Sequence, residues 1–258
     1  MNGVEWGLTM LMTIIKSLIF IPYLLLSGCG EYINIYLDNK FPVNMNNDGK
    51  KITVYSTIYP EMVVQVRGTY TSNKCERSHF NSDYTEVSYS SLTQKVEVER
   101  KIAEDNKTAT YIVPIDGGGW CNWKLVKIEL SPVSTIHKRY MRISEVIPIT
   151  DDKHSKIELF TTLAPIIVEG KNEQSIYYSP SSTEGERKLS NKSDGEIYFN
   201  YKVEPKLTTT ISKDEKVIYP NGSIKDPTFS IYTGMISFNE IIENSDEKAF
   251  TSFVRYID

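Results

Sequence analysis

Trp123-Lys124-Leu125-Val126-Lys127-Ile128-Glu129-Leu130 carries apolar side chains at Val126, Ile128 and Leu130 and charged ones at Lys127 and Glu129. A period of two puts successive side chains on opposite faces of an extended chain, so the stretch reads as a strand with one dry and one wet face. Val64 and Val66 against Gln65 and Arg67, and Val96 and Val98 against Lys95, Glu97 and Glu99, repeat the pattern. One wet face per strand is what an antiparallel sheet packed on one side requires. No window shows a long amphipathic helix. The expectation is an all-β, mainly antiparallel, sandwich-like fold in one or two β domains.

Working outward, strands are expected over Ile52–Ile58, Met62–Thr71, Glu86–Ser90, Gln94–Ile102, Thr110–Ile115, Tyr140–Ile147, Lys156–Leu163, Ile166–Glu169, Glu196–Val203, Leu207–Ile211 and Phe250–Tyr256. Tyr32–Leu37 and Thr228–Tyr232 are further candidates, and Ser237–Asn244 is the one expected short helix. Asp151-Asp152-Lys153-His154 is four polar positions after a strand-like run, which places a boundary between a β domain at 45–150 and a second β-rich domain at 151–258. Ser179–Gly195 has almost no large apolar group and is expected to be a mobile surface loop.

Upstream, Leu26-Ser27-Gly28-Cys29 closes an apolar run that begins after Lys16. A cation, a short apolar stretch, two small residues and a cysteine suit a bacterial lipoprotein signal: the run inserts, and Cys29 is acylated as the bond before it is cut. The stretch Ser17–Gly28 contains Pro22 and is far shorter than the ~20 residues that span a bilayer. A cleaved, non-lipidated signal is the alternative. Residues 1–28 are therefore expected to be a leader, 29–44 an anchor and linker, and Cys29 the lipidation site. Glu5 and Trp6 do not suit a positive leader, which makes Met10 or Met12 the better start.

With a net charge of −4 and no basic cluster, the chain offers no electrostatic footprint for nucleic acid. Membrane attachment would have to come through the N-terminal lipid. Once Cys29 is assigned, Cys75 and Cys121 remain, an even pair that in an oxidising compartment is expected to be bonded. Two separate buried thiols are the alternative. A metal site is disfavoured, because His79, His137 and His154 are scattered and neither cysteine has a ligand-spaced neighbour.

Asp116-Gly117-Gly118-Gly119-Trp120-Cys121-Asn122-Trp123 is the most distinctive run of the body. Its glycines permit a sharp bend, but no Lys-Ser/Thr follows them as a phosphate loop needs. Trp120 and Trp123 are binding candidates for a sugar ring or a protein partner, with core packing beside the disulfide as the competing reading. No nucleophile, base and orienting group can be named together, so no catalytic residue, metal or cofactor is assigned. Ser245-x-x-Lys248 lacks the companion motifs of a serine acyl-enzyme. Asp151-Asp152 lacks the spaced ligands of a calcium loop, and Glu104-Asp105 reads as a hydrated turn.

The leader, the acidic β-rich body and the cysteine pair resemble envelope lipoproteins of Gram-negative bacteria. Within that group the run Tyr111–Leu125, with Asp116-Gly117-Gly118-Gly119, Cys121 and Trp123-Lys124-Leu125, is similar to lipoproteins encoded beside type VI secretion phospholipase effectors, which serve as their immunity proteins. The resemblance implies a lipid-anchored periplasmic binding protein on the outer membrane whose partner is a secreted lipase effector. A structural, assembly or glycan-binding lipoprotein of the envelope is the alternative.

Overall fold

The computed structural model describes residues 40–59, 62–104, 106–135, 145–170, 174–181, 185–226, 236–247 and 252–258. The leader, Cys29, His137, Lys248 and the expected strands Tyr32–Leu37 and Thr228–Tyr232 lie outside them.

The strands are β1 (Lys51–Thr57), β2 (Met62–Phe80), β3 (Val87–Glu97), β4 (Arg100–Ile102), β5 (Thr108–Pro114), β6 (Asp116–Gly118), β7 (Trp123–Ser134), β8 (Glu145–Thr150) and β9 (Lys156–Glu169). They continue with β10 (Gln174–Pro180), β11 (Leu189–Ser190), β12 (Gly195–Val203), β13 (Thr209–Ile211), β14 (Val217–Ile218), β15 (Ile224–Lys225) and β16 (Phe253–Tyr256). The helix α1 (Phe238–Glu243) matches the expected short helix; the Ser237 side chain caps it by accepting from the Glu240 N–H at 3.2 Å.

Two sheets pack face to face. The first runs β15-β14-β13-β9-β12-β1-β5-β4, with β10 and β16 also on β9; the second runs β11-β8-β7-β2-β3, with β6 on β7. The all-β, sandwich-like expectation holds, with mixed sheets: β1 with β12, β9 with β12 and with β13, and β8 with β11 are parallel. The chain changes sheet at corners. At one, the Ile115 N–H donates to Lys50 O in the first sheet while its carbonyl accepts from Leu125 in the second, at 2.8 and 2.9 Å. At another, the Val98 N–H donates to Val66 O at 2.9 Å, so Gln94–Ile102 is two strands in different sheets rather than one.

Between the sheets lies a core of fully buried Ile52, Val54, Val66, Tyr70, Val113, Trp123, Ile128, Leu130, Ile157 and Phe199. The opening stretch behaves differently from its simple alternation. Thr69 pairs with Lys127 but Tyr70 with Leu125, which leaves Val126 as a bulged residue. The bulge resets the parity of β7, so Trp123 and Leu125 point inward before it and Ile128 and Leu130 after it. Val126 itself is only half-buried. Glu129 is covered on the other face by Lys127 at 2.7 Å and Lys95 at 3.1 Å, and the Lys127 ammonium holds its carboxyl below the usual range.

Lys156–Leu163 and Ile166–Glu169 form one strand, β9, which runs through two hydrophobic cores of the described residues. Pro165 is tolerated because it falls where β12 has ended, at Leu163, and β13 has not yet begun, at Ile166. Up to Leu163, β9 packs into the main core; from Ala164 it packs with Leu207, Val217, Tyr219, Phe238 and Ile241 in a smaller one. The cores thus meet inside β9 rather than at the Asp151–His154 turn, and β1 pairs directly with β12 across that turn. Ser179–Gly195 is also more anchored than its composition implies. Its single large apolar residue, Leu189, is fully buried in β11, and Ser179 and Ser181 are buried as well.

Candidate functional site

The disulfide between Cys75 and Cys121 is present, with Cα atoms 5.2 Å apart. It sits at an irregularity in β2: Thr71 pairs with Thr93, but the next pair is Glu76 with Ser91, so four residues of β2 face Leu92 alone. The Ser72 hydroxyl, fully buried, organises this bulge. It donates to Cys121 O at 2.5 Å and accepts from the N–H groups of Cys75 and Lys74 at 2.8 and 3.1 Å. On the Cys121 side each glycine has its own cause. A Cβ on Gly117 would lie 2.7 Å from Val43 and 2.8 Å from the Trp123 Cβ, whereas Gly118 and Gly119 adopt φ of 53° and 68°. The bend turns Trp120 and Trp123 in opposite directions.

Trp123 is fully buried and its indole N–H donates to Phe41 O at 2.8 Å, so it is a core residue and not a binding residue. Trp120 is 64% exposed. Its ring stacks on Phe41 at 6.2 Å, and the Lys74 ammonium lies 4.3 Å from the ring centre.

Beyond the disulfide, β2 and β3 leave the sandwich as a two-stranded arm. Pairing of β2 with β7 ends at Ser72, while pairing with β3 continues to Phe80 and Val87. Directly opposed residues share a face. Phe80 with Val87 and Ser78 with Tyr89 therefore form one face, and Arg77 with Ser90 and His79 with Ser88 form the other. The second face is polar, with a His79 ring nitrogen 2.7 Å from the Ser90 hydroxyl. The first is apolar and open: Phe80 is 53% exposed, Tyr89 69%, and Tyr84 at the tip 78% with its ring 5.9 Å from that of Phe80.

Asn81 stiffens the tip. Its side-chain oxygen accepts from the N–H groups of Thr85 and Glu86, and its amide donates to the Thr85 hydroxyl at 2.9 Å. From the ~150–250 Å² that each aromatic side chain offers, Phe80, Tyr84 and Tyr89 with Val87 leave roughly 400 Å² of apolar surface in water. That is the scale of a functional patch and about half of one partner's share of a standard interface of ~800 Å². The sequence expectation ends the first of the arm's two strands at Thr71, so Phe80 falls in no expected strand and the face is not legible from it; the one cue is Val87 and Tyr89 at alternate positions in an otherwise polar run.

Elsewhere, a hollow of about 390 Å³ lies between the start of β2 and the β3–β4 corner, lined by Val63, Gln65, Glu97, Arg100, Tyr111 and Val133. Tyr111 donates its hydroxyl to Val64 O inside it, and burial raises its pKa. His154 pairs with Asp258 at 3.0 Å and stacks on Tyr256; Asp152 caps the turn before β9; the Ser245 hydroxyl is spent on Ile242 O and Glu247 O. Among the described residues no cluster of three metal-ligating side chains exists. Comparison with protein-family models, with curated proteins and with solved structures gives no match.

Proposed function

We propose that this chain is a lipid-anchored binding protein on the periplasmic face of the outer membrane, that it contacts a protein partner through the β2–β3 arm, and that the partner is a secreted phospholipase it neutralises. The single observation behind the reading is the apolar face of Phe80, Tyr84, Val87 and Tyr89, held open to solvent on an arm stiffened by Asn81 and rooted by a disulfide. Aromatic side chains fixed in place contribute contact area at low entropic cost. An enzyme that takes acyl chains presents an apolar mouth, and a ribbon two strands wide with one aromatic face is complementary in shape and chemistry. The reading assigns the chain no catalytic step.

The test combines survival with direct binding. The product of the neighbouring gene, expected to be a phospholipase, is expressed in the periplasm with the wild-type protein, with Phe80→Ser/Tyr84→Ser/Tyr89→Ser, or alone. Wild type is expected to restore growth and to bind the purified enzyme one to one, while the arm variant, folded by circular dichroism, does neither. Growth that wild type fails to rescue, or a neighbouring gene that encodes no lipase, would move the weight to an envelope-assembly role. Rescue by the arm variant at full strength would remove the arm from the interface.

A further inference from the structure

We infer that the Phe41–Trp120 corner, flanked by Lys40 and Lys74, is a seat for the lipid headgroup region, so that the body rests on the membrane in a fixed orientation. The inference rests on the lipid-anchor reading of Cys29.

Three observations converge on this corner. First, the chain enters the body here and is fixed as it does so. Phe41 O accepts from the Trp123 indole, the Val43 N–H donates to the Gln94 side chain at 3.0 Å, and the Asn44 N–H donates to Gly117 O at 2.8 Å. Second, Cys29 precedes Lys40 by so few residues that even a fully extended chain, at ~3.3–3.6 Å per residue, reaches no more than roughly 40 Å. The corner is thus the part of the body held nearest to the acyl chains, and a tether that short gives any weak attraction there a high effective concentration.

Third, the surface has the chemistry of a membrane interface. Trp120 is the most exposed tryptophan of the described residues, an amphipathic ring whose type collects at headgroup level. The Lys74 ammonium lies 4.3 Å from the Trp120 ring centre and the Lys40 ammonium 5.6 Å from that of Phe41. Both stems can lie along apolar surface while their charged ends meet lipid phosphates. An aromatic pair alone would suit many partners. Placed where the lipid tether emerges and edged with cations, it suits a phospholipid surface.

The natural tryptophans supply the probe. Trp6 lies ahead of Cys29, so the mature protein contains Trp120 and the buried Trp123 alone. The lipidated protein is reconstituted into phosphatidylethanolamine–phosphatidylglycerol vesicles, with and without brominated acyl chains, and floated on a gradient before its fluorescence is read. The expected result is co-flotation with a blue-shifted emission that brominated lipid quenches, a quenching lost in Trp120→Phe and weakened in Lys40→Glu/Lys74→Glu. Co-flotation with emission indifferent to brominated lipid, or quenching equal in Trp120→Phe, overturns the seat while leaving the anchor intact. Failure to float overturns the anchor reading and the seat with it.

Discussion

Reducing the Cys75–Cys121 bond should lower stability by an amount the topology sets. The bridge spans 46 residues. Chain-entropy reasoning for a loop of that length gives a denatured-state restriction of roughly 4 kcal/mol, within the ~2–5 kcal/mol seen for native disulfides of small secreted domains. The native state loses little of its own structure. Pairing of β2 with β7 already sets Ser72 beside Trp123, and the Ser72 hydroxyl still bonds Cys121 O. The loss is therefore carried by the unfolded chain, which regains freedom.

Urea titration of the oxidised protein, of the same protein in reductant, and of Cys75→Ala/Cys121→Ala measures it. With a slope of roughly 3 kcal/mol/M for a chain of this size, the midpoint should fall by about 1 M. Reduced wild type and the double variant should agree, and both should keep their β-sheet circular dichroism. Coincident midpoints for oxidised and reduced protein would refute the reasoning, because a covalent loop closure that costs nothing to lose implies a denatured state already holding the two segments together.

Gly117→Ala should destabilise by about 1–3 kcal/mol through overpacking against Val43 and Trp123, readable as a lower thermal midpoint; an unchanged midpoint would show that β6 can shift outward freely. Leu189→Ala should cost about 2–5 kcal/mol and make Ser179–Gly195 a site of rapid proteolysis, since Leu189 is the only large apolar anchor of that segment. The Ser155 N–H and then the His154 ring hold the Asp258 carboxyl down to about 2. Its stabilising contribution is complete above the unfolded carboxylate value of ~3.9 and lost as pH falls through about 2. Asp258→Asn should accordingly lower the thermal midpoint at pH 6 and do so progressively less as pH falls through about 2, and a difference that stays undiminished across that range would assign the effect to packing.

What was legible in the sequence is what a short window of backbone dictates. Alternation over Ile52–Ile58 or Glu196–Val203 identifies strands because a pleat exposes opposite faces at successive residues, whatever the rest of the chain does. Ser237 marks the start of α1 because the cap is made with the chain's own N–H three residues on. The bond between Cys75 and Cys121 follows from the cysteine count only once Cys29 is assigned to the lipid.

What the tertiary structure alone decided depends on residues far apart in the chain. Trp120 and Trp123 are the same residue type three positions apart, yet the positive φ angles of Gly118, Gly119 and Asn122 send one to solvent and the other to the core. Val126 alternates correctly with Ile128 but is a bulge, because the register of β7 is set by its partner β2. The parallel pairing of β1 with β12 joins segments separated by most of the body, where no local pattern reaches. Phe80 and Tyr89 show the same limit for the candidate site: period two groups Ser78 with Phe80 and Val87 with Tyr89, but only the register of β2 on β3 sets both pairs on one face, and among the described residues that face is left open because β7 has ended beside it.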